Sequence, residues 1–136
     1  MTGAGARVML WRANKTAQPT GRLGESLAAE FLAGQRYVVV ERNYRKPYGE
    51  IDIIARDGET VVFVEVKTRK STEFGSAFEA VDRRKQRQIS RIAQEYLHSR
   101  NLLGSPARFD VIAIRLDADN RPTAIDHLQN AFDCAP

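Results

Sequence analysis

The sequence predicts an α/β sandwich, in which helices flank a central mixed β-sheet and the elements follow the order α-β-β-β-α-β-β. Two segments repeat apolar residues at helical spacing, and five shorter runs are rich in β-branched and aromatic residues. With 136 residues, the chain has a suitable length for one domain with its own hydrophobic core.

The first helix is predicted over Thr20–Ala33, because Thr20 can cap its start and Gly34 can end it. Residues 1–19 show no sustained periodicity, so we expect a flexible tail ahead of a single domain at 20–136. The residues at helical spacing on the predicted buried side are apolar except for one acid: Leu23, Glu25, Leu27, Ala28, Ala29, Phe31 and Leu32.

Three strands are predicted next, over Tyr37–Tyr44, Glu50–Arg56 and Val61–Thr68. All three contain the β-branched or aromatic residues that favour a pleated, half-buried surface. The Asp57-Gly58 pair between the second and third strands is a strong turn signal, and it predicts a β-hairpin.

The second half of the chain is predicted to contain one long helix and two strands. A loop at Glu73–Ala77 precedes the helix, which is expected over Glu79–Arg100 because its apolar residues recur at helical spacing. The run Phe109–Leu116 is apolar on both faces, which is typical of a strand covered on both sides. A short last strand is predicted over Ala124–Leu128.

Carboxylates inside the predicted hairpin are unexpected, because strand interiors rarely contain them. Side chains alternate along a strand, so Glu50 and Asp52 share one face, and Glu65 and Lys67 share one. A two-residue turn would pair Asp52 with Phe63 and Glu50 with Glu65, whereas a four-residue turn would pair Asp52 with Glu65. Either register places the three acids and the lysine in one patch, where the like charges need a positive partner.

A divalent cation is a suitable partner for this patch. The chain has one cysteine, Cys134, and two distant histidines, so a zinc site is not expected. We expect a hard cation instead, either Mg²⁺ or Mn²⁺. Two acids and a lysine are also a set that can cut a phosphodiester: Asp52 and Glu65 hold the metal, and Lys67 orients water and adds positive charge. The alternative is a surface ion pair of Glu65 with Lys67.

Positive charge is concentrated directly after the hairpin. The segment 67–91 contains eight Lys or Arg and three Asp or Glu, a net charge of +5. The helical stripe extends to Lys85 and Gln86, which should point along the sheet towards one end, where they either support the carboxylates or cap the helix end over the core. Glu50 is a residue that supports the metal ligands, a metal ligand itself, or an exposed acid. We expect the following basic residues to contact the phosphates of a nucleic acid: Arg69, Lys70, Arg83, Arg84 and Arg87.

Three stretches together resemble the YraN family, a bacterial family of the restriction-endonuclease-like PD-(D/E)XK superfamily that is similar in layout to archaeal Holliday-junction resolvases. The resemblance covers residues 21–130, nearly the whole chain after the tail. It is carried by these stretches: GRLGESLAAEFL, GEIDIIARDG with VVFVEVKTR, and AFEAVDRRKQRQISRIAQEYL.

The resemblance implies a restriction-endonuclease-like sandwich and assigns roles by position. Asp52 matches the superfamily's acid, Glu65-Val66-Lys67 matches its Glu-X-Lys, and Glu25 matches the acid of its first helix. Ile51 stands where the superfamily has the Pro of its motif. The implied metal ligands are therefore Glu25, Asp52 and Glu65, and the implied catalytic residues are Asp52, Glu65 and Lys67.

The function implied by the resemblance is a metal-dependent nuclease that hydrolyses DNA phosphodiesters, with branched or processed DNA as a candidate substrate. A four-way junction would need two active sites, and for that substrate we expect a homodimer. Two other functions stay open: a nucleic acid-binding module without catalysis, and a structural domain with a surface charge network. DNA is not distinguished from RNA.

The expected location is the cytoplasm. No segment approaches the roughly 20 apolar residues that a membrane span requires, so we expect no membrane partner. A single cysteine also excludes an internal disulfide and favours a reducing compartment.

Overall fold

A computed structural model describes residues 20–70 and 81–134. The tail predicted at 1–19 and the loop predicted at Glu73–Ala77 lie outside the described residues. The elements follow the predicted order, and their bounds are α1 (Thr20–Gly34), β1 (Val38–Lys46), β2 (Gly49–Asp57), β3 (Thr60–Lys70), α2 (Arg83–Ser99), β4 (Ala107–Leu116) and β5 (Pro122–Phe132).

The predicted mixed sheet is confirmed. Its five strands lie in the order β1-β2-β3-β4-β5, and β3 and β4 are the parallel pair, whereas the other neighbours are antiparallel. Helix α2 lies in the crossover between the parallel strands, as a parallel connection requires. Neither helix of the described residues is long and apolar enough to cross a membrane.

Two element bounds were predicted wrongly. Helix α2 begins at Arg83 rather than Glu79, because the Asp82 side chain caps it by accepting the Lys85 backbone N–H at 2.9 Å. Strand β5 covers Pro122–Phe132 rather than Ala124–Leu128, because pairing with β4 continues into its polar ends.

The helices cover opposite faces of the sheet and divide the buried apolar residues into two groups. The α1 core consists mainly of Leu23, Leu27, Ala28, Leu32, Ile53, Val62, Val64, Ile112 and Ile114. The α2 core consists mainly of Ile51, Ile54, Phe63, Phe109, Val111, Ile89, Ile92, Ala93 and Tyr96. The alternation of Val62 and Val64 with Phe63 along β3 therefore serves both cores.

The hairpin has the register in which Asp52 faces Glu65, but its turn contains two residues, Gly58 and Glu59, rather than the four that were predicted for this register. Its ladder runs from Asp57↔Thr60 to Ile53↔Val64, so the next facing positions are Asp52 and Glu65. Pairing between β2 and β3 stops there, whereas β3 pairs with β4 as far as Lys70. The two carboxylates thus lie where β2 separates from β3.

Helix α1 lies unusually close to β3 at Gly24. A Cβ added at Gly24 would overlap the side chain of Thr68, whereas a Cβ at Gly21 would meet nothing within 4 Å. The close approach places the next helical residue, Glu25, beside the end of the β2–β3 ladder. Glycine is required here for space rather than for its backbone freedom.

We expect Gly24→Ala to lower the free energy of unfolding by about 1–3 kcal/mol, because the stiff Thr68 side chain cannot easily move away. Gly21→Ala is the matched control in the same helix, and it should leave stability unchanged or raise it slightly. Urea unfolding measures both. When Thr68 is also replaced by Ala, most of the loss in unfolding free energy should disappear. If Gly24→Ala lowered the unfolding free energy equally in the Thr68→Ala protein, the assigned contact would be contradicted.

Candidate metal centre

Carboxylates from three elements meet where β2 separates from β3. Helix α1 contributes Glu25, β2 contributes Glu50 and Asp52, and β3 contributes Glu65. One carboxylate oxygen from each of Glu25, Glu50 and Asp52 lies within 4.8 Å of the other two. Glu65 is not one of these three acids and instead faces Asp52 in the strand register. The four acids are called the candidate centre below.

The side chain of Asp52 takes the place of a backbone hydrogen-bond acceptor at the end of the β2–β3 ladder. The Val66 backbone N–H donates to Oδ2 of Asp52 at 2.8 Å, at the point where the β2–β3 ladder has ended. The pKa of Asp52 is raised to about 8, chiefly by burial and also by the charges of Glu65, Glu25 and Glu50, and the hydrogen bond from Val66 opposes the rise. Without a cation, Asp52 therefore holds a proton at neutral pH.

The two carboxylate oxygens of Glu65 differ in their contacts. Its side chain is 5% exposed, and Oε2 lies 3.4 Å from the ammonium of Lys67 and 3.4 Å from that of Lys85. Oε1 is buried and has no hydrogen-bond partner among the described residues. An unpaired buried carboxylate oxygen is costly, and a bound cation would remove that cost.

Glu25 also has a buried oxygen, Oε1, that has no hydrogen-bond partner among the described residues. Burial is the main cause that raises the pKa of Glu25. Glu50 is the more exposed acid, and its Oε1 accepts a hydrogen bond from Nε of Arg45 at 2.9 Å.

The donor set of the candidate centre is composed of carboxylate oxygens. Such oxygens suit hard cations such as Mg²⁺ and Mn²⁺, whereas Zn²⁺ sites usually contain His or Cys. The acidic cluster of Glu25, Glu50 and Asp52 could therefore hold a divalent ion, and the unpartnered oxygens of Glu25 and Glu65 fit that use.

The basic residues singled out in the sequence take different positions. Lys85 reaches Glu65, whereas the Gln86 side chain donates to the Val81 carbonyl at 2.9 Å, at the start of α2. The Arg69 guanidinium donates to the Thr68 carbonyl, and the Lys70 ammonium hydrogen-bonds the Asn120 side chain. Three arginines in the first two turns of α2 are exposed: Arg83, Arg84 and Arg87.

Two residues at this site were not singled out from the sequence. The pairs Arg42↔Ile53 and Tyr44↔Ile51 place Asn43 opposite Asp52, and Arg45 donates to Glu50; both residues lie on β1. A signal for Asn43 was present, because asparagine is disfavoured within strands and this one lies inside a predicted strand. No comparable signal marked Arg45, since charged residues are common on edge strands.

A second buried acid, Asp110, shows how the chain satisfies a carboxylate that has a structural role. It accepts hydrogen bonds from Arg108 Nε, His127 Nε2 and the Asn130 backbone N–H. Burial alone would raise the pKa of Asp110, but these hydrogen bonds lower it overall. The candidate centre lacks such donors on Oε1 of Glu25 and Oε1 of Glu65.

Comparison with known proteins connects this region to one family. The profile of the uncharacterised protein family UPF0102 matches residues 24–114, which include the whole candidate centre with Lys67 and Lys85. A UPF0102 protein of Moorella thermoacetica is 47% identical over 117 residues, covering 86% of this chain and 98% of the relative. One of Geotalea daltonii is 52% identical over 122 residues, covering 90% and 93%. One of Dictyoglomus turgidum is 43% identical over 112 residues, covering 82% and 95%.

We expect the metal-free protein to lose stability as the pH rises. The pKa of Asp52 is raised from 3.8 to about 8 on folding, so its contribution is fully present below pH 4 and is lost as the pH approaches 8. Asp52→Asn stays neutral and can still accept the Val66 N–H. At pH 8 it should be more stable than wild type by on the order of 1–3 kcal/mol, a difference that vanishes near pH 4.

Urea unfolding between pH 4 and 9 with a chelator present measures this difference. Asp126→Asn removes an exposed carboxylate from β5 and is the control. It should follow the wild-type profile. If Asp52→Asn followed that profile as well, Asp52 would not carry the raised pKa.

Proposed function

The chain belongs to the uncharacterised protein family UPF0102, the YraN family that its motifs resemble, and we propose that it is a metal-dependent nuclease that hydrolyses DNA phosphodiesters. The observation that carries the proposal is the pair of buried, unpartnered oxygens on Glu25 and Glu65 beside Asp52, next to two lysines. A purely structural charge network would be expected to satisfy those oxygens.

The proposed ligands of an Mg²⁺ or Mn²⁺ ion are Glu25, Asp52 and Glu65. Glu50 is the acid whose oxygen lies within 4.8 Å of those of Glu25 and Asp52, whereas Glu65 is outside that cluster and faces Asp52 in the strand register. When bound, such an ion supplies positive charge that polarises the attacking water and offsets the charge developing on the phosphate. The protein's part is to hold three carboxylates together that would otherwise repel one another. The raised pKa of Asp52 in the metal-free protein is consistent with this repulsion.

Lys67 is the proposed catalytic cation. It lies on the same face of β3 as Glu65, its ammonium is 3.4 Å from Oε2 of Glu65, and its side chain is 20% exposed. A preorganised ammonium in a partly buried site stabilises developing negative charge more strongly than it would in water. Lys85 supports the same carboxylate from α2, with its backbone N–H held by the Asp82 cap.

The proposed path of the nucleic acid follows the basic residues outside the candidate centre. Arg83, Arg84 and Arg87 are exposed in the first turns of α2, directly around Lys85. Lys70 and Arg69 lie at the end of β3, beyond Lys67. Contacts of this kind bind phosphates without reading bases, so they support binding of DNA in a sequence-independent way. Branched or processed DNA is the proposed substrate class, from the resemblance to junction resolvases.

We expect Lys67→Ala to reduce DNA cleavage by about 10²-fold or more and to leave DNA binding close to wild type. Removing one electrostatic contributor to a transition state typically has an effect of this size, whereas one phosphate contact among several contributes little to affinity. Cleavage is measured on single-stranded, duplex, flap and four-way DNA with Mg²⁺ or Mn²⁺, under saturating protein.

Lys46→Ala is the matched control, since it removes an ammonium that lies over the Tyr44 ring rather than beside Glu65. It should cleave at close to the wild-type rate. Cleavage by Lys67→Ala at that rate would remove Lys67 from catalysis. A wild-type protein that binds DNA but cuts no substrate in the panel would favour a nucleic acid-binding module instead.

We also expect four single Ala substitutions to reduce the salt dependence of DNA binding. Each should lower the magnitude of the slope of log affinity against log salt concentration by about one unit; the residues are Arg83, Arg84, Arg87 and Lys70. The slope of log affinity against log salt counts the phosphates that the protein neutralises. Arg36, exposed at the opposite end of α1 from Glu25, is the control and should leave the slope unchanged. Unchanged slopes for all four variants would show that DNA binds elsewhere.

A further inference from the structure

The turn between β1 and β2 contains a tyrosine, Tyr48, that contacts two residues of α2. The guanidinium carbon of Arg91 lies 3.8 Å from the centre of the Tyr48 ring, in a cation–π contact. The Tyr48 hydroxyl donates to Oε1 of Glu95, and Oε2 of Glu95 lies 3.5 Å from Nε of Arg91. Each of these three side chains therefore contacts the other two, and together they are called the tyrosine–arginine cluster.

The position of Tyr48 is fixed by the close packing of its turn on α2. Gly49 has a φ of 151°, which favours glycine, and a Cβ at this position would lie 3.3 Å from Cδ1 of Ile92. Tyr48 itself packs against the α2 core. The Arg91 side chain, in contrast, is 65% exposed. The cluster thus holds a flat, positively charged group at the surface of the protein.

A hollow on the surface of α2 begins at this cluster. Its volume is about 410 Å³, which is within the usual range for ligand pockets. Its lining consists of Arg91, Gln94, Glu95, His98 and Leu103. The Leu103 side chain is 61% exposed, so an apolar surface lies open to solvent beside the flat guanidinium. Such a lining suits a planar group that is only weakly polar.

The charges around the hollow favour a base over a phosphate. Arg91 is already paired with Glu95, whose carboxylate would repel a second anion. The phosphate contacts proposed above lie nearer the start of α2, where Arg84 and Arg87 are exposed. Their spacing places both on the same helical face as Arg91, which lies about 10 Å along the helix from Arg84. A strand that follows this face therefore reaches the hollow.

We propose that the hollow binds one unpaired base of the DNA, stacked on the guanidinium of Arg91. Bases of every kind stack on aromatic rings and on arginine planes, so this site does not read sequence. A base inside a duplex is already stacked and paired and cannot enter the hollow. The site therefore selects DNA with unpaired bases beside a duplex, such as a flap. This inference rests on the proposed binding of DNA along α2, but it requires neither a metal ion nor cleavage.

The affinity of the full chain for two flap substrates tests this inference. Both have the same duplex and the same flap length, but one flap carries bases and the other consists of abasic nucleotides, which keep the phosphates. Fluorescence anisotropy measures binding with a chelator present, so that cleavage does not interfere.

The main variant is Arg91→Lys, because lysine keeps the positive charge and lacks the planar guanidinium. Tyr48→Leu is the second variant, and it removes the ring that supports Arg91. The matched control is Arg100→Lys at the C-terminal end of α2. Arg100 also lies over a tyrosine ring, that of Tyr96, and pairs with an acid, but it is not among the described residues that line the hollow.

We expect wild type to bind the flap with bases about 10-fold more tightly than the abasic flap, an effect typical of one stacked base. Arg91→Lys and Tyr48→Leu should bind the flap with bases about 10-fold more weakly than wild type does, and should bind the abasic flap with wild-type affinity. Arg100→Lys should match wild type on both substrates.

Three results would overturn the base site: equal affinity of wild type for the two flaps, wild-type affinity of Arg91→Lys for the flap with bases, or an equal loss on both flaps. Each of them leaves the proposed DNA binding intact. Arg91→Lys changes only an exposed side chain, so it decides the test if Tyr48→Leu fails to fold. A wild-type protein that binds neither flap would overturn DNA binding and the base site together.

Discussion

The burial of the Asp52 carboxyl group among other acids is the constraint on which this end of the molecule depends. Asp52 lies where the β2–β3 ladder ends, and its side chain accepts a hydrogen bond from the Val66 backbone N–H. The strands can then separate, and Gly24 lets helix α1 approach β3 closely enough for Glu25 to reach the gap. Burial and the neighbouring acids raise the pKa of Asp52, so the arrangement loses stability at neutral pH unless a cation binds.

The same sheet contains another buried acid, Asp110, whose hydrogen bonds differ from those of the acids at the candidate centre. Asp110 is fully buried, yet Arg108, His127 and a backbone N–H satisfy it, and its pKa is lowered overall. Glu65 is almost as buried, has two lysines on one oxygen and nothing on the other among the described residues. Local rules of packing and hydrogen bonding are most often broken at functional sites, where stability is lost for activity.

Much of this architecture was predictable because it follows from local patterns. Helical and strand periodicity predicted the element order and the mixed sheet, and the Asp57-Gly58 pair predicted the hairpin. The unusual acids of the hairpin predicted a cluster of carboxylates, and Glu50 and Asp52 do lie close to each other and to Glu25. The placement of Lys85 towards the end of the sheet with these acids also followed from helical spacing.

The tertiary structure decided what local patterns leave undetermined. The sequence by itself determined the fold class, the strands that contain Asp52 and Glu65, and the oxygen-rich chemistry of the donor set. It left two hairpin registers open, and the structure has the one in which these acids face each other, closed by a two-residue turn at Gly58 and Glu59. It could not reveal that Asn43 of β1 faces Asp52, because that pairing depends on the register between two strands. A prediction from strand periodicity assumes regular alternation of side chains. It therefore fails where β1 and β2 each point two consecutive side chains to the same face of the sheet.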